Sequence, residues 1–280
     1  MLTWLYVPGD RPDRFPKAAA SGADVVILDL EDAVAPERKG YAVAAVREYL
    51  SDVPTVRCEV RVNDIRDVPG VLDLPGLSGL RLPKISSAEE VTEYAAAAPG
   101  AELHLLIESA LGVERAFGIA SAHPAVASVT LGEADLASDL HLLAEEGFTY
   151  SRSRLVVSAR AAGLPPPAMS VWAHVHDLDG LAASCALGRA LGMFGRAAIH
   201  PRQIPVIVQA FLPSAEEVSR AHELVDSLAA SSEQASGTAV LPDGRFADRA
   251  MVEAARTTIR IADSHGVAGD HLPSMAQERG

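Results

Sequence analysis

The stretch LHLLIESALGVERAFGIASAHPAVASVTLGEADLASD, residues 103–139, decides the fold. It holds two apolar runs, Leu103–Ile107 and Val126–Leu131, with a segment of helical length between them. Such an arrangement predicts two parallel strands joined by a helix. An acid follows each run, Glu108 directly after the first and Asp135 shortly after the second. Because parallel strands end at one edge of a sheet, and ligands bind at that edge, both acids are expected at a binding site.

Glu108 and Asp135 offer carboxylate oxygens, with no cysteine or histidine cluster beside them. Oxygen ligands suit a hard cation, so the pair predicts a Mg²⁺ site, with Mn²⁺ as an alternative. The competing interpretation is that both acids are helix N-caps. Asp is a good N-cap and Glu a poor one, which makes Glu108 the more informative residue.

Working outward from this stretch, strand-like runs alternate with helical segments along most of the chain. Eight runs predict an α/β fold, a (β/α)₈ TIM barrel over residues 1–230. The predicted strands are residues 3–7, 25–28, 55–62, 79–84, 103–107, 126–131, 168–173 and 193–199. Residues 231–280 are expected to form a C-terminal extension with a hairpin around Asp243-Gly244 and a final helix. Asp248 fits the N-cap of that helix.

Charged residues follow three of the other predicted strands. Asp29, Glu31 and Asp32 lie close together at the end of the second strand, where their mutual repulsion must be offset by cations or hydrogen-bond donors, as in a binding site. The alternative is that they form a turn and cap helices. Arg61 ends the third strand, where it can clamp a ligand carboxylate or pair with a protein acid. Lys84 ends the fourth strand.

Three basic residues, Arg11, Arg14 and Lys17, are spaced by three in a segment expected to be helical over residues 10–21. Basic groups near a helix start can meet phosphates. They can equally form a solvated charged face. His200, at the end of the eighth strand, is expected to have a structural role rather than to face a ligand.

Composition excludes several classes of protein. The 280 residues carry a net charge of −13, which argues against a nucleic-acid partner. The two cysteines make no disulfide framework and indicate a reducing, cytoplasmic setting. The N-terminus has no signal-peptide pattern, and no apolar run is long enough to suggest a membrane span.

Eight motifs together resemble the citrate lyase beta-subunit-like group of the HpcH/HpaI aldolase family, which includes malyl-CoA and citramalyl-CoA lyases. They are LYVPGDRPDRFPKAA, ADVVILDLEDAVAPERK, VRVN, LPK, LIESALGV, LGEADLASDL, GRAAIHPRQIPVI and DGRFAD. The resemblance implies that Glu108 and Asp135 bind Mg²⁺ and that Glu31 and Asp32 hold the waters around it. It implies that Arg61 binds the carboxylate of a small 2-oxo acid.

The resemblance also implies that Arg11, Arg14 and Lys17 lie near the phosphates of CoA. It implies that Asp248 acts as acid/base in the site of a neighbouring subunit, within a homotrimer or hexamer whose C-terminal extension packs on the adjacent barrel. Family members often carry acids where this chain has Met169 and His174. Loss of the acid at 169 is expected to make the mouth of the pocket more apolar.

The implied function is a Mg²⁺-dependent carbon–carbon lyase that cleaves a 3-hydroxyacyl-CoA into a 2-oxo acid and an acyl-CoA. Two alternatives remain open. One is another reaction on the same site, as in a thioesterase, a malate-synthase-like enzyme or an aldolase acting on free 2-oxo acids. The other is a barrel that binds ligand without turnover.

Overall fold

The computed structural model describes residues 1–232, 239–240, 246–247 and 249–267, which form two compact units divided between Phe211 and Leu212. The first unit is built on a parallel sheet with the strand order β6-β5-β4-β3-β2-β1-β7. Its strands are β1 (Thr3–Pro8), β2 (Val25–Asp29), β3 (Arg57–Arg61), β4 (Leu77–Leu82), β5 (Leu103–Ile107), β6 (Val126–Leu131) and β7 (Arg196–Ala198).

Helical segments separate most of the strands along the chain. They are α1 (Phe15–Ala19), α2 (Lys39–Leu50), α3 (Val68–Val71), α4 (Ala88–Ala97), α5 (Ala110–Glu114), α6 (Ala116–Ala120), α7 (Glu133–Leu140), α8 (Thr149–Ala161), α9 (Leu178–Ala190) and α10 (Ile204–Phe211). Seven parallel strands alternating with helices are consistent with a barrel of the (β/α)₈ type. Residues 103–139 fold as predicted, because β5 and β6 pair in parallel with helices between them.

The predicted seventh strand is wrong as a regular element. Residues 168–173 contribute one parallel bridge, from Met169 to Arg196 of β7. Three prolines at 165–167 precede it and cannot donate ladder hydrogen bonds, which shortens the pairing. On the other side, Ser170 Oγ accepts a hydrogen bond at 3.3 Å from the amide of Glu133, just after β6. This segment therefore lies between the ends of the sheet.

Two local predictions also need correction. The helix expected over residues 10–21 is reduced to a 3₁₀ turn (Pro12–Arg14) and the short α1, since Pro12 and Pro16 lack the amide hydrogens that a longer helix needs. The sequence after Lys84 also predicts a helix with Ser86 as its N-cap, whereas the N-cap of α4 is Ser87, whose side chain accepts from the Glu90 amide. In contrast, the helix that the sequence predicts over residues 39–50 is present as α2.

The hydrophobic core lies where the sheet meets the helices. Every residue of β2 and β5 is buried, as expected for strands covered on both faces. The interior of the sheet is not apolar throughout, because Glu59, Arg81 and His104 are at most 4% exposed. The fold therefore combines an apolar outer layer with a charged interior.

The second unit contains α11 (Ala215–Ser232), two paired strands and α12 (Arg249–His265). The strands β8 (Ala239–Val240) and β9 (Phe246–Ala247) pair antiparallel, as a hairpin requires, while residues 241–245 lie outside the described part. Within this unit α11 packs against α12. The predicted division into a barrel over residues 1–230 and an extension over residues 231–280 stays a prediction. Within the described residues, no helix is both long enough and apolar enough to cross a membrane.

Candidate active site

A cavity of about 360 Å³ opens at the carboxyl ends of the strands and gathers four of the eight predicted site residues of the first unit. Its charged lining comes from the ends of β2, β3 and β5 and from the first turn of α7, and includes Asp29, Asp32, Arg61, Glu108 and Asp135. Apolar and small side chains line the rest, among them Trp4, Leu106, Ala168, Ala197 and Ile199. The parallel register places these groups together, since all the strands point the same way.

Arg61 is held by a carboxylate of its own chain. Its Nε and Nη2 each donate to a different oxygen of Asp29 at 2.7 Å, which makes a bidentate pair. Tyr6 lies beneath the guanidinium, with its ring centroid 5.1 Å from Cζ. Burial acts to lower the pKa of Arg61, but hydrogen bonding and the charge of Asp29 outweigh burial and raise that pKa. Arg61 is thus a fixed cation in the wall of the cavity.

The Nη1 edge of the Arg61 guanidinium is held less firmly than the edge that faces Asp29. Its Nη1 lies 2.8 Å from Glu31 Oε2, but that oxygen makes no well-aligned hydrogen bond with the residues described. Within the same residues no hydrogen bond engages Nη1. Nη1 also lies 3.7 Å from Asp32 Oδ2, so Glu31 and Asp32 both approach this edge while Asp29 holds the opposite one. Arg61 is therefore paired with protein acids, and its binding of a ligand carboxylate stays a prediction.

Glu31 is buried, and two cations contact it. Lys84 Nζ lies 2.5 Å from Glu31 Oε1 and 3.6 Å from Asp32 Oδ1. Burial raises the pKa of Glu31 against the opposing effects of Lys84 and Arg61. Asp32, in contrast, is 55% exposed at the mouth of the cavity. The sequence placed Lys84 at a strand end but did not indicate that it contacts these acids.

Glu108 emerges from the end of β5 and is 6% exposed. Its Oε2 accepts a hydrogen bond at 2.9 Å from the backbone amide of Lys84. Burial, followed by the negative charge of Glu31, raises the pKa of Glu108 to about 7. A carboxyl group with such a pKa is poised to exchange a proton for a cation near neutral pH.

Asp135 lies in the first turn of α7, next to a buried ion pair that holds this helix in place. Arg152 of α8 donates from Nε at 2.7 Å and from Nη2 at 2.9 Å to the two oxygens of Glu133. Arg152 also contacts Glu145 at 3.1 Å. The sequence did not predict this pair, which fixes the helix that carries Asp135.

The residues present fit a divalent cation. Glu108 and Asp135 line the same cavity and offer the oxygen donors that Mg²⁺ prefers. Burial and the charge of Glu31 raise the pKa of Glu108, and the negative charge of Asp135 adds to the rise. A cation between Glu108 and Asp135 would relieve that repulsion. Within the described residues, no group of three or more His, Cys, Asp or Glu side chains is arranged to hold a metal, and the metal site of Glu108 and Asp135 stays a prediction.

A second charged cluster, Glu59, Arg81 and His104, fills the interior of the sheet at the level of the strands. Arg81 Nε and Nη2 donate to Glu59 Oε2 at 3.0 and 2.6 Å. His104 Nε2 lies 3.4 Å from Glu59 Oε1 without hydrogen-bond alignment, and its Nδ1 is 2.9 Å from Ser128 Oγ. Burial lowers the pKa of His104. Arg81 also lines the cavity, so this cluster is directly adjacent to the candidate site.

The three basic residues near the start of the chain lie outside the lining of the cavity. Arg11 pairs with Asp13, an exposed residue, through two hydrogen bonds of 3.0 Å. Arg14 and Lys17 are exposed to solvent. A fourth cation that the sequence did not single out, Arg38, contacts Asp10 at 2.6 Å. These positions leave Arg14 and Lys17 available to a large anionic ligand.

The remaining predicted residues have mixed outcomes. Asp248 lies outside the described residues. The expectation for Met169 is wrong, because its side chain is fully buried against Gly188 of α9, while its neighbours Ala168 and Ser170 face the cavity. Side chains alternate along an extended segment, so residue 169 points away from the mouth. His200 accepts from the Arg202 amide as an N-cap, which confirms the structural prediction.

Three comparisons with known proteins agree with this geometry. Residues 2–201 match the model of the HpcH/HpaI aldolase/citrate lyase family. A protein named (3S)-malyl-CoA thioesterase from Cereibacter sphaeroides is 32% identical over 279 residues, covering 95% of each chain. One named L-malyl-CoA/beta-methylmalyl-CoA lyase, also from C. sphaeroides, is 29% identical over 299 residues, covering 92% of this chain and 93% of the relative.

Among solved structures, protein CitE from Mycobacterium tuberculosis, in complex with magnesium, acetoacetate and coenzyme A, superimposes with a TM-score of 0.79. It is 31% identical, and the match covers 94% of this chain and 98% of CitE. The parallel fold, the carboxylate-lined cavity and the family match over most of the first unit lead to one conclusion: this chain belongs to the HpcH/HpaI aldolase/citrate lyase family.

Proposed function

We propose that the protein is a Mg²⁺-dependent carbon–carbon lyase acting on a 3-hydroxyacyl-CoA such as malyl-CoA or citramalyl-CoA. The observation that carries the proposal is the cavity in which Glu108 and Asp135 stand with the fixed cation Arg61. The similar L-malyl-CoA/beta-methylmalyl-CoA lyase and the CitE complex with magnesium and coenzyme A support the reaction class. We further propose that the sheet closes as an eight-stranded barrel, with residues 168–170 in the seventh position.

In this reaction the bond between the hydroxyl-bearing carbon and the α-carbon of the thioester breaks. The hydroxyl proton passes to a base, and the hydroxyl-bearing carbon becomes the carbonyl of a 2-oxo acid. The electron pair of the broken bond passes to the α-carbon, which takes up a proton to give the acyl-CoA. Bound Mg²⁺ supplies Lewis-acid polarisation of the substrate oxygen.

The residues of the chain supply binding and orientation. Glu108 and Asp135 would hold the metal, and Glu31 and Asp32 would accept hydrogen bonds from the waters around it. Arg61 presents its Nη1 edge to the carboxylate of the oxo-acid portion, since Asp29 fixes the opposite edge. Trp4, Leu106 and Ile199 exclude water on the apolar side.

The proton transfer and the binding of CoA rest on the family resemblance. We assign the acid/base role to Asp248 of a neighbouring subunit, within a homotrimer or hexamer in the cytoplasm. Arg11, Arg14 and Lys17 then meet the CoA phosphates, and Arg14→Glu is expected to weaken CoA binding. Co-expressing inactive Glu108→Gln and Asp248→Asn subunits tests the assembly, since mixed oligomers regain activity only if Asp248 acts in the site of another subunit.

A second candidate function is thioester hydrolysis, which the similarity to a (3S)-malyl-CoA thioesterase favours. Product analysis separates the two. With Mg²⁺ and racemic malyl-CoA or citramalyl-CoA, a lyase releases glyoxylate or pyruvate and keeps its CoA as a thioester. A thioesterase releases free CoA thiol and the intact hydroxy acid. Absence of both products over a panel of acyl-CoAs would contradict an enzymatic role on these substrates.

A further inference from the structure

Lys84 has an unusual backbone at the edge of the candidate metal site. Its φ is 56°, in the left-handed region that a residue with a side chain adopts at a cost. Only one other non-glycine residue among those described, His141, has a positive φ. Unusual backbone conformations of this kind cluster at functional sites, because surrounding contacts must maintain them.

This conformation lets one residue contact two acids with different groups. The backbone amide of Lys84 donates to Glu108 Oε2 at 2.9 Å, while its ammonium lies 2.5 Å from Glu31 Oε1. The amide leaves Glu108 Oε1 free of Lys84. The ammonium occupies the one oxygen of Glu31 that Arg61 does not approach. Glu31 is therefore held between two cations, and Glu108 is left partly open.

The number of available carboxylates matters for the choice of cation. Mg²⁺ keeps several of its waters and binds through one or two carboxylates, whereas Ca²⁺ takes six to eight oxygen ligands and accepts additional carboxylates readily. Glu31 is buried, and Lys84 links it to Glu108, because the ammonium contacts Glu31 while the amide donates to Glu108. Released from its cations, Glu31 would be free to turn toward Glu108 as a third carboxylate ligand.

We propose that Lys84 is a positioning residue that sets the metal selectivity of the site, by holding Glu31 back from direct coordination so that Glu108 and Asp135 alone bind the ion. This rests on the proposed metal site. The ammonium excludes a third protein ligand and favours Mg²⁺ over Ca²⁺. The backbone amide does a separate task, since it orients Glu108 whatever side chain residue 84 carries.

The test compares Mg²⁺ and Ca²⁺ binding by isothermal titration calorimetry on the full-length protein without substrate. Two variants remove the ammonium, Lys84→Met and Lys84→Gly. The glycine variant keeps the amide and adopts a left-handed backbone freely, so it is expected to fold. Lys84→Arg retains a cation. Arg160→Met, which removes an exposed cation near the end of α8, controls for the loss of one charge.

Both Lys84→Met and Lys84→Gly are expected to raise the affinity for Ca²⁺ relative to Mg²⁺ by about tenfold, as changes beside metal ligands commonly do. Lys84→Arg and Arg160→Met should keep the wild-type ratio. Adding Glu31→Met to Lys84→Gly should return the ratio to the wild-type value, because the third oxygen ligand is then gone. A simple loss of charge would not be reversed in this way.

The possible failures can be told apart. If the wild-type protein binds neither ion, the proposed metal site is wrong. If the wild-type protein binds Mg²⁺ but both ammonium-free variants keep its Ca²⁺/Mg²⁺ ratio, the role given to Lys84 is wrong and the metal site stands. An altered ratio that survives the addition of Glu31→Met would also overturn the proposal, because Glu31 would then not be the added ligand.

Discussion

Gly132 lies so close to Glu108 that a Cβ built on the glycine would stand 2.0 Å from Glu108 Oε1. No side chain can occupy that position unless the carboxylate moves. Gly132, directly after β6, therefore leaves the space that the carboxylate of Glu108, directly after β5, occupies.

Gly132→Ala is expected to displace the Glu108 carboxylate and weaken Mg²⁺ binding by about tenfold or more, as loss of ligand geometry does. Calorimetric titration with Mg²⁺ measures the effect, with far-UV circular dichroism as the check on folding. Gly118→Ala in α6 is the matched control, because a Cβ there meets nothing within 4 Å. Equal Mg²⁺ affinities in the two variants would contradict the importance of this contact.

Mg²⁺ binding is expected to strengthen with rising pH. The pKa of Glu108 is raised to about 7, so the metal-free protein carries a proton there in mild acid that Mg²⁺ must displace. The apparent affinity should rise by about tenfold between pH 6 and pH 8, as this carboxyl group ionises. Titrations at several pH values measure the rise, and Glu108→Gln should bind weakly with little of this dependence. A flat profile in the wild type would count against Glu108 as a ligand.

The same pKa has a consequence for stability without metal. An acid whose pKa is higher in the folded than in the unfolded chain favours folding less as pH rises between the two values. The Glu108 contribution thus declines from about pH 4.5 to about pH 7. Added Mg²⁺ should raise the melting temperature more at pH 8 than at pH 5. The reverse order would contradict the assignment.

Arg61→Met should destabilise the protein by about 3–5 kcal/mol, because it leaves the buried Asp29 without its partner. Arg61→Met with Asp29→Asn should recover part of this loss while leaving turnover absent. Recovery is partial because Asp29 also accepts hydrogen bonds from the amides of Glu31 and Ala33. Urea denaturation measures both variants. If the double variant is no more stable than the single one, the Asp29–Arg61 pair is not the main source of the loss.

Arg152→Met is expected to cost about 3–5 kcal/mol, since Glu133 then remains buried without a cation. It should also weaken Mg²⁺ binding, because α7 carries both Glu133 and Asp135. Arg66→Met removes an ion pair from an arginine that is 86% exposed and should cost less than about 1 kcal/mol. Unchanged Mg²⁺ affinity in Arg152→Met would separate the ion pair from the metal site.

The strand ends were predictable because apolar runs stop at charged residues. Leu103–Ile107 followed by Glu108 and Val126–Leu131 followed by a glycine and acids are local patterns, and parallel pairing then brings their ends together. Because of this parallel pairing, Glu108, Asp135 and Arg61 line the same cavity. The catalytic and metal-binding roles given to these residues stay predictions.

Contacts across several strands were not predictable in the same way. The alternation of Arg57, Glu59 and Arg61 along β3 gives no sign that residue 59 would meet Arg81 and His104. Nor does a sequence pattern reveal that Lys84 takes a left-handed backbone, since lysine has no preference for it. The shortened seventh strand has a visible cause in the run of prolines at 165–167, which lack the amide hydrogens that strand pairing needs.

The buried cluster of Glu59, Arg81 and His104 also constrains how this protein can diverge. Replacing any one member with an apolar residue leaves the charge of another member buried and unpaired. Replacing all three together with well-packed apolar residues can leave the stability unchanged. Proteins with only one or two of the three positions replaced are therefore less stable than the protein with none replaced or with all three replaced. Positions 59, 81 and 104 are therefore expected to change slowly in evolution and to change together, which would make them a marker of common ancestry among proteins with this sheet.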